Sequence, residues 1–246
     1  MVTVSPVTGI PAPSAPRCNR AMQAALSPNF GERRGGALPD LVVIHYTAMP
    51  SCAAALDRLC DPQAEVSAHY LISEAGDVVA LVPEQARAWH AGAGSWGAVI
   101  DVNSRSLGIE LANDGQQPFA AAQMAALEAL LDGLLARWAI PAHRVIGHSD
   151  MAPARKGDPG ARFDWRRLAR SGLSVWPDAG PVAPDPAGFA GAARAFGYPD
   201  AAFDVLLRAV RLRFRPWASG PLDAADMGIM LDLARRFPVD AGGGHP

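Results

Sequence analysis

Lysine is almost absent from this chain of 246 residues. Lysine and arginine together number 22, and the only lysine is Lys156. Lysine is a compact charge whose pKa falls readily on burial, whereas arginine stays protonated. A chain that otherwise uses arginine throughout therefore points to a specific need for lysine at this position. The alternative is sequence drift that spared one lysine by chance.

Cysteine is also scarce, and long runs of apolar or like-charged residues are missing. Cys18, Cys52 and Cys60 form no CxxC pair, which argues against a disulfide framework or a thiolate zinc site and favours a reducing compartment. No apolar stretch approaches the roughly 20 residues that span a bilayer. The net charge of -2 gives no reason to expect nucleic acid or an anionic membrane as partner.

The first 20 residues lack the charged start and apolar run of a signal peptide. We therefore predict a cytoplasmic protein, with the periplasm or envelope as the alternative if a leader precedes this sequence.

Half of the residues are apolar, which is enough for a sizeable core. Strands are predicted at 41–46, 67–73, 78–82, 106–113 and 143–148, and helices at 52–60, 119–138 and 164–170. Strands that alternate with helices predict an α/β fold with a mixed central β-sheet flanked by helices.

The chain divides into four predicted parts. An irregular arm covers residues 1–37, and the α/β domain covers 38–176. Dense prolines make 177–187 a linker, because they fit neither a helix nor a central strand. Three amphipathic segments then predict a small all-α module of three helices over 188–240.

Two histidines stand at the ends of predicted buried strands. His45 ends the first strand, His148 ends the last, and Asp158 follows ten residues later in a loop. Two imidazoles and one carboxylate suit a catalytic zinc site with a fourth position for water. The alternative for each histidine is a hydrogen-bonded place in the core.

Lys156 and Glu110 are candidates for the chemistry beside such a metal. Lys156 lies two residues before Asp158, so in extended backbone both side chains point the same way. It would stabilise an oxyanion, and Glu110, a charge within an apolar strand, would transfer a proton. The alternatives are a solvated loop lysine and an edge-strand glutamate.

Five segments carry a family resemblance: VVIHYTA, VSAHYLIS, RAWHAG, NSRSLGIELAN and VIGHSDMAPARKGDPG. In this order, over roughly residues 27–170, the chain resembles the type-2 N-acetylmuramoyl-L-alanine amidases, which are related to phage amidases and peptidoglycan recognition proteins. The resemblance implies one Zn²⁺ per chain, held by His45, His148 and Asp158. It makes Glu110 and Lys156 the catalytic pair.

The resemblance also suggests residues that contact the substrate. Trp89 and His90 resemble residues that line the substrate groove, and Arg155 is placed to bind a peptide carboxylate. For Trp89, simple packing is the alternative. The C-terminal helices loosely resemble a peptidoglycan-binding module, and a packing or dimerisation role is the alternative for them.

The implied activity is zinc-dependent hydrolysis of the lactyl–L-alanine amide in peptidoglycan fragments such as anhydro-muropeptides, in peptidoglycan recycling. Three alternatives stay open: an envelope amidase that remodels polymeric peptidoglycan, a non-catalytic peptidoglycan-binding protein, and another zinc hydrolase such as a peptidase. The chain has no HExxH motif, which removes the commonest peptidase arrangement. The oligomeric state is not predicted.

Overall fold

The computed structural model describes residues 26–240 of the chain. The strands are β1 (Phe30–Gly31), β2 (Leu41–Tyr46), β3 (Tyr70–Ile72), β4 (Val78–Ala80), β5 (Arg87–Ala88), β6 (Ser106–Leu111) and β7 (Val145–Gly147). The helices are α1 (Cys52–Cys60), α2 (Val102–Arg105), α3 (Ala121–Trp138), α4 (His148–Met151), α5 (Trp165–Arg170), α6 (Pro186–Phe196), α7 (Phe203–Phe214) and α8 (Ala224–Arg236). Most of the predicted N-terminal arm, residues 1–25, lies outside the described residues.

Five strands form the central sheet, in the order β4-β3-β6-β2-β7. β3, β6, β2 and β7 run parallel, and β4 pairs antiparallel with β3. This arrangement confirms the predicted mixed sheet with flanking helices. In the register of the two central strands, His45 of β2 lies opposite Glu110 of β6. Because parallel strands end at one edge of the sheet, this pairing brings both side chains to that edge.

The sheet is covered on both faces, which explains the continuous apolar sequence of β2. Successive side chains of a strand point to opposite faces. Val42 and Ile44 pack in one buried cluster with the apolar stripe of α3, while Leu41 and Val43 belong to a second cluster on the other face. The predicted stripe of α3 is buried as expected: Met124, Leu127, Leu131 and Leu134.

The second cluster also contains the C-terminal helices. It joins Leu41 and Val43 of β2 to buried residues of α6, α7 and α8. Trp96 packs edge-on against Phe196 and Tyr198, with ring centroids 5.4 and 5.3 Å apart. The three helices thus complete the hydrophobic core on this face of the sheet. The domain boundaries at 38–176, 177–187 and 188–240 remain predictions.

A buried ionic group, here called the Arg213 cluster, joins α7 to α4. It consists of Asp150, Tyr198 and Arg213, whose side chains are almost completely buried. One Asp150 oxygen accepts from Arg213 Nη1 at 2.6 Å and from the backbone N–H of Gly147 at 2.8 Å. The other accepts from the Tyr198 hydroxyl at 2.8 Å. The C-terminal helices are therefore bonded directly to the turn that follows β7.

The helix cap and the turn predicted from the sequence are both present in the structure. Ser51 caps α1, since its side chain accepts the N–H of Ala54 at 3.2 Å. Gly76 has φ 89° in the turn between β3 and β4, a conformation that favours glycine. Within residues 26–240, none of the helices combines the length and the apolar character needed to cross a membrane.

Candidate metal centre and active site

A cleft of about 360 Å³ opens at the carboxyl edge of the sheet. All eight residues predicted for the site line it: His45, Trp89, His90, Glu110, His148, Arg155, Lys156 and Asp158. The fold therefore brings together side chains that are up to 113 positions apart in the sequence. Their individual roles remain predictions, which the geometry below supports.

Three of these side chains form a compact group, here called the ligand cluster: His45, His148 and Asp158. Nδ1 of His45 lies 3.0 Å from Nδ1 of His148, and Oδ2 of Asp158 lies 2.9 and 3.0 Å from these two nitrogens. All three residues are at most 9% exposed. His45 comes from β2, His148 begins α4 directly after β7, and Asp158 lies within the loop between α4 and α5.

The ligand cluster fits a zinc ion in donor chemistry and spacing. Bonds of about 2.0–2.2 Å place neighbouring ligands of tetrahedral zinc about 3.3–3.6 Å apart, which is near the observed separations. Nε2 of His148 lies 2.8 Å from the carbonyl oxygen of Ala91, which only accepts, so this nitrogen donates a proton to it. Its Nδ1 then presents a lone pair to the cluster. A cation bound between the two Nδ1 atoms and Oδ2 of Asp158 would satisfy these acceptors, which lie 2.9–3.0 Å apart.

Burial sets the protonation states of the cluster. Burial, together with neighbouring His148, lowers the pKa of His45 to about 4. Burial alone would raise the pKa of Asp158, but the His148 and His45 rings beside it hold that pKa well below its usual value. At neutral pH the cluster therefore contains a neutral His45 and a carboxylate, which are the forms that bind metals.

Glu110 lies in the same cleft and has an unsatisfied oxygen. Its Oε2 is buried and has no hydrogen-bond partner among the described residues. Burial and the Asp158 carboxylate raise the pKa of Glu110 to about 8, while nearby Lys156 opposes the shift. A carboxyl group with a pKa near neutrality can both accept and donate a proton.

Lys156, Arg155 and Trp89 form the more open side of the cleft. Lys156 is exposed and lines the cleft from the loop that also carries Asp158. Arg155 Nη2 donates to the carbonyl oxygens of Ala91 and Ala93, at 2.9 and 2.5 Å, which fixes one end of its guanidinium. Trp89 is half-buried. These side chains are accessible to a ligand.

His90 has a different setting from its neighbours in the sequence motif. It is 9% exposed, and its two ring nitrogens lie 3.0 Å from Nε2 of His45 and 3.2 Å from Oγ of Ser106. Sequence reasoning missed Ser106 and the Arg213 cluster altogether. Arg213 does carry a signal, because a charge sits among the apolar positions of a helix face, but its partner Asp150 is 63 residues away.

A histidine–histidine–aspartate group that could hold a metal ion, with a glutamate beside it at the carboxyl edge of a mixed sheet, is an arrangement of the kind found in metallohydrolases. The family model described as N-acetylmuramoyl-L-alanine amidase matches residues 35–161. This match covers just over half of the chain, and the chain belongs to that family. The resemblance of the sequence motifs is thereby confirmed.

Two curated relatives illustrate the similarity. The N-acetylmuramoyl-L-alanine amidase AmiD of Escherichia coli (strain K12) is 41% identical over 155 residues, which span 56% of this chain and 55% of AmiD. The 1,6-anhydro-N-acetylmuramyl-L-alanine amidase AmpD of Citrobacter freundii is 35% identical over 159 residues, spanning 58% of this chain and 85% of AmpD. The first alignment thus covers only about half of its relative.

Solved structures extend the similarity beyond the sheet. AmiD from E. coli, in complex with anhydro-N-acetylmuramic acid-L-Ala-D-γ-Glu-L-Lys, has a TM-score of 0.75 at 33% identity and covers 85% of this chain and 98% of its own. AmpDh3 from Pseudomonas aeruginosa has a TM-score of 0.75 at 28% identity and covers 96% and 99%. Matches of this extent include part of the C-terminal helices.

Proposed function

We propose that this protein is a zinc-dependent N-acetylmuramoyl-L-alanine amidase that hydrolyses the lactyl–L-alanine amide of anhydro-muropeptides. The observation that carries the proposal is the ligand cluster, with three donor atoms 2.9–3.0 Å apart and Glu110 in the same cleft. The substrate class is supported by AmiD, which was solved with an anhydro-muropeptide, and by AmpD, which is named as a 1,6-anhydro-N-acetylmuramyl-L-alanine amidase.

His45, His148 and Asp158 would hold the ion. When bound, zinc supplies the positive charge that makes water nucleophilic at neutral pH. Glu110 is suited to take a proton from the attacking water, because its pKa of about 8 lies close to working pH. The protonated Glu110 can then give that proton to the amine of L-alanine as the amide bond breaks.

The open side of the cleft would stabilise and orient the substrate. Lys156 would donate a hydrogen bond to the carbonyl oxygen as negative charge develops on it. Arg155 keeps N–H groups available beyond those bonded to Ala91 and Ala93, and these could bind a carboxylate of the stem peptide. Trp89 offers an apolar surface beside them.

The test is hydrolysis of a defined fragment followed by mass analysis of the products. The zinc-loaded protein should release the free tripeptide L-Ala-D-γ-Glu-L-Lys from its anhydro-N-acetylmuramic acid conjugate. Glu110→Gln should keep its zinc and lose this activity, whereas Glu74→Gln, an exposed glutamate outside the cleft, should behave as the unchanged protein. Cleavage within the stem peptide would instead indicate a peptidase.

A protein that binds the fragment with zinc present but never cleaves it would be a non-catalytic binding protein. The presence of all three ligand positions and of Glu110 argues against this alternative. The acid–base group would have no purpose in a site that only binds.

Recycling of soluble fragments in the cytoplasm is the biological role that we propose. One observation favours the envelope alternative: Trp217, which is 75% exposed, lines a surface pocket together with Trp176 and Ile229, and an exposed apolar patch can mark a binding surface. Fractionation of cells, with comparison of soluble anhydro-muropeptides and polymeric peptidoglycan as substrates, separates the two roles. Recycling predicts native protein in the cytoplasm and a preference for the soluble fragment.

A further inference from the structure

A chain of hydrogen bonds leads from His45 to the backbone behind the cleft. Nε2 of His45 lies 3.0 Å from Nδ1 of His90, and Nε2 of His90 lies 3.2 Å from Oγ of Ser106. The Ser106 hydroxyl also lies 2.5 Å from the carbonyl oxygen of Val102. The three side chains are at most 9% exposed, so water competes little for these bonds.

The far end of this chain determines the direction of each hydrogen bond. A carbonyl oxygen only accepts, so the single hydroxyl proton of Ser106 is donated to Val102. The Ser106 oxygen must then accept from His90, which places the proton of neutral His90 on Nε2. Nδ1 of His90 is left as an acceptor and receives the Nε2 proton of His45. Nδ1 of His45, the atom within the ligand cluster, therefore keeps its lone pair.

His90 is held firmly in this arrangement. Its ring packs so closely on Gly108 of β6 that a Cβ atom at residue 108 would lie 2.4 Å from Cγ of His90. His90 is 9% exposed, and burial disfavours the charged form of an imidazole. Asn103 Oδ1 accepts the backbone N–H groups of His90 and Ala91 at 3.1 and 2.8 Å.

The second histidine of the cluster is oriented independently. The carbonyl oxygen of Ala91 lies 2.8 Å from Nε2 of His148, which again leaves Nδ1 free for the cluster. The two histidines of the cluster are thus hydrogen-bonded to consecutive residues. His45 contacts the side chain of His90, and His148 contacts the backbone of Ala91. A change at Ser106 should reach His45 and leave His148 unaffected.

We propose that Ser106 and His90 are positioning residues, which fix the Nε2–H tautomer of His45 and so direct the lone pair of its Nδ1 at the metal. The assignment of the ion as zinc rests on the proposed function, whereas the tautomer itself does not. Outer partners of this kind are known to orient metal-binding histidines and to raise metal affinity. Neither residue needs to touch the substrate for this role.

The tautomers can be measured in the metal-free protein by ¹⁵N NMR of the histidine side chains. We expect Nε2 to carry the ring proton in His45, in His90 and in His148. A proton on Nδ1 of His45 or of His90 in the metal-free protein would overturn the proposal. This measurement needs no variant and no active enzyme.

Ser106→Ala provides the second test, since it removes the acceptor of the His90 Nε2 proton. The proton should move to Nδ1 of His90, and His45 should then become protonated at Nδ1, where zinc must displace it. We expect zinc affinity, measured by chelator competition, to fall by about 10–100-fold. The signals of His148 serve as an internal control and should not change tautomer.

Two further variants separate this effect from a general loss of structure. Ser104→Ala removes a nearby buried hydroxyl that bonds to Asp101 and Arg87 instead of His90, and it should bind zinc like the unchanged protein. Ser106→Thr keeps a hydroxyl and should restore affinity. Zinc affinity and His45 signals of Ser106→Ala equal to those of the unchanged protein would overturn the proposal. Failure to hydrolyse muropeptides would instead count against the proposed function alone.

Discussion

Two buried polar groups share the turn that follows β7, and they differ in whether their acceptor atoms are bonded to donors. His148 belongs to the ligand cluster, and Asp150, two residues later, belongs to the Arg213 cluster. In the Arg213 cluster, both Asp150 oxygens accept from donors at 2.6–2.8 Å, and its negative charge is matched by a guanidinium. In the ligand cluster, two imidazole nitrogens and a carboxylate oxygen face one another about 3 Å apart.

This difference separates a structural group from a binding site. Buried polar groups in proteins are normally paired. The Arg213 cluster, in which both Asp150 oxygens are bonded and only Nε of Arg213 lacks a partner among the described residues, therefore stabilises the fold without any ligand. A buried group of lone pairs is stabilised only when a cation joins it. Removal of a residue from one group should therefore affect metal binding, and removal from the other should affect folding.

The largest effect is expected for Asp158→Ala. The change removes the charged member of the ligand cluster, so zinc affinity should fall by more than the roughly 10–100-fold typical of outer-shell changes. Metal content of the purified protein, measured by elemental analysis, checks this. Asp200→Ala, at an exposed aspartate paired with Arg194 on the C-terminal helices, is the control. An unchanged metal stoichiometry in Asp158→Ala would contradict the assignment.

Arg213→Met should have the next largest effect, and on stability instead of metal binding. It leaves Asp150 as a buried charge without its cation, which typically costs about 3–5 kcal/mol in the free energy of unfolding. Denaturant unfolding of the metal-free protein measures this change. Arg194→Met breaks an exposed ion pair, 3.3 Å long, and should cost less than about 1 kcal/mol. Equal losses in the two variants would show that the Arg213 cluster contributes no more than a surface pair.

The sequence predicts the ligand cluster better than the Arg213 cluster for a physical reason. His45 and His148 stand at the ends of apolar strands, and strand ends meet at one edge of a parallel sheet. Arg213 lies on an amphipathic helix, and nothing in its segment shows that this helix packs on the sheet. The shared core of sheet and C-terminal helices could not be predicted either, because the proline-rich stretch before them reads as a linker between separate units.

The same limit applies to His90. Its motif suggested a contact with substrate, but the structure places both of its ring nitrogens against protein groups. The direction of those hydrogen bonds depends on Ser106 and Val102, which become neighbours of His90 only in the folded chain. Residue spacing carries no information about which nitrogen of a histidine holds the proton.

Lys156→Arg tests whether the cleft needs the compact ammonium group of lysine or accepts a guanidinium like that of Arg213. The Arg213 side chain is committed to fixed buried partners, whereas Lys156 is exposed and reaches the cleft with a compact charge. Replacement by the larger, planar guanidinium should lower kcat by about 10²-fold, as for the loss of an oxyanion donor. Steady-state kinetics at saturating zinc measure this, with metal content as the check on the site. Wild-type turnover would contradict the role given to Lys156.

The smallest effect is expected for the stability of Glu110→Gln, as a pH-dependent gain in the unfolding free energy of the metal-free protein. Burial raises the pKa of Glu110 from 4.5 to about 8. Between pH 4.5 and about 8, the Glu110 carboxyl is therefore deprotonated in the unfolded chain and protonated in the folded chain. Unfolding free energy should therefore fall as pH rises through this range, and glutamine removes that loss. We expect a difference on the order of 1–2 kcal/mol at pH 8 and none below pH ~4, because part of the residue reaches solvent. Denaturant unfolding across this pH range measures the difference, with Glu74→Gln as control. If the unfolding free energies of Glu110→Gln and the unchanged protein depend on pH in the same way, the Glu110 carboxyl is as well satisfied as that of Asp150.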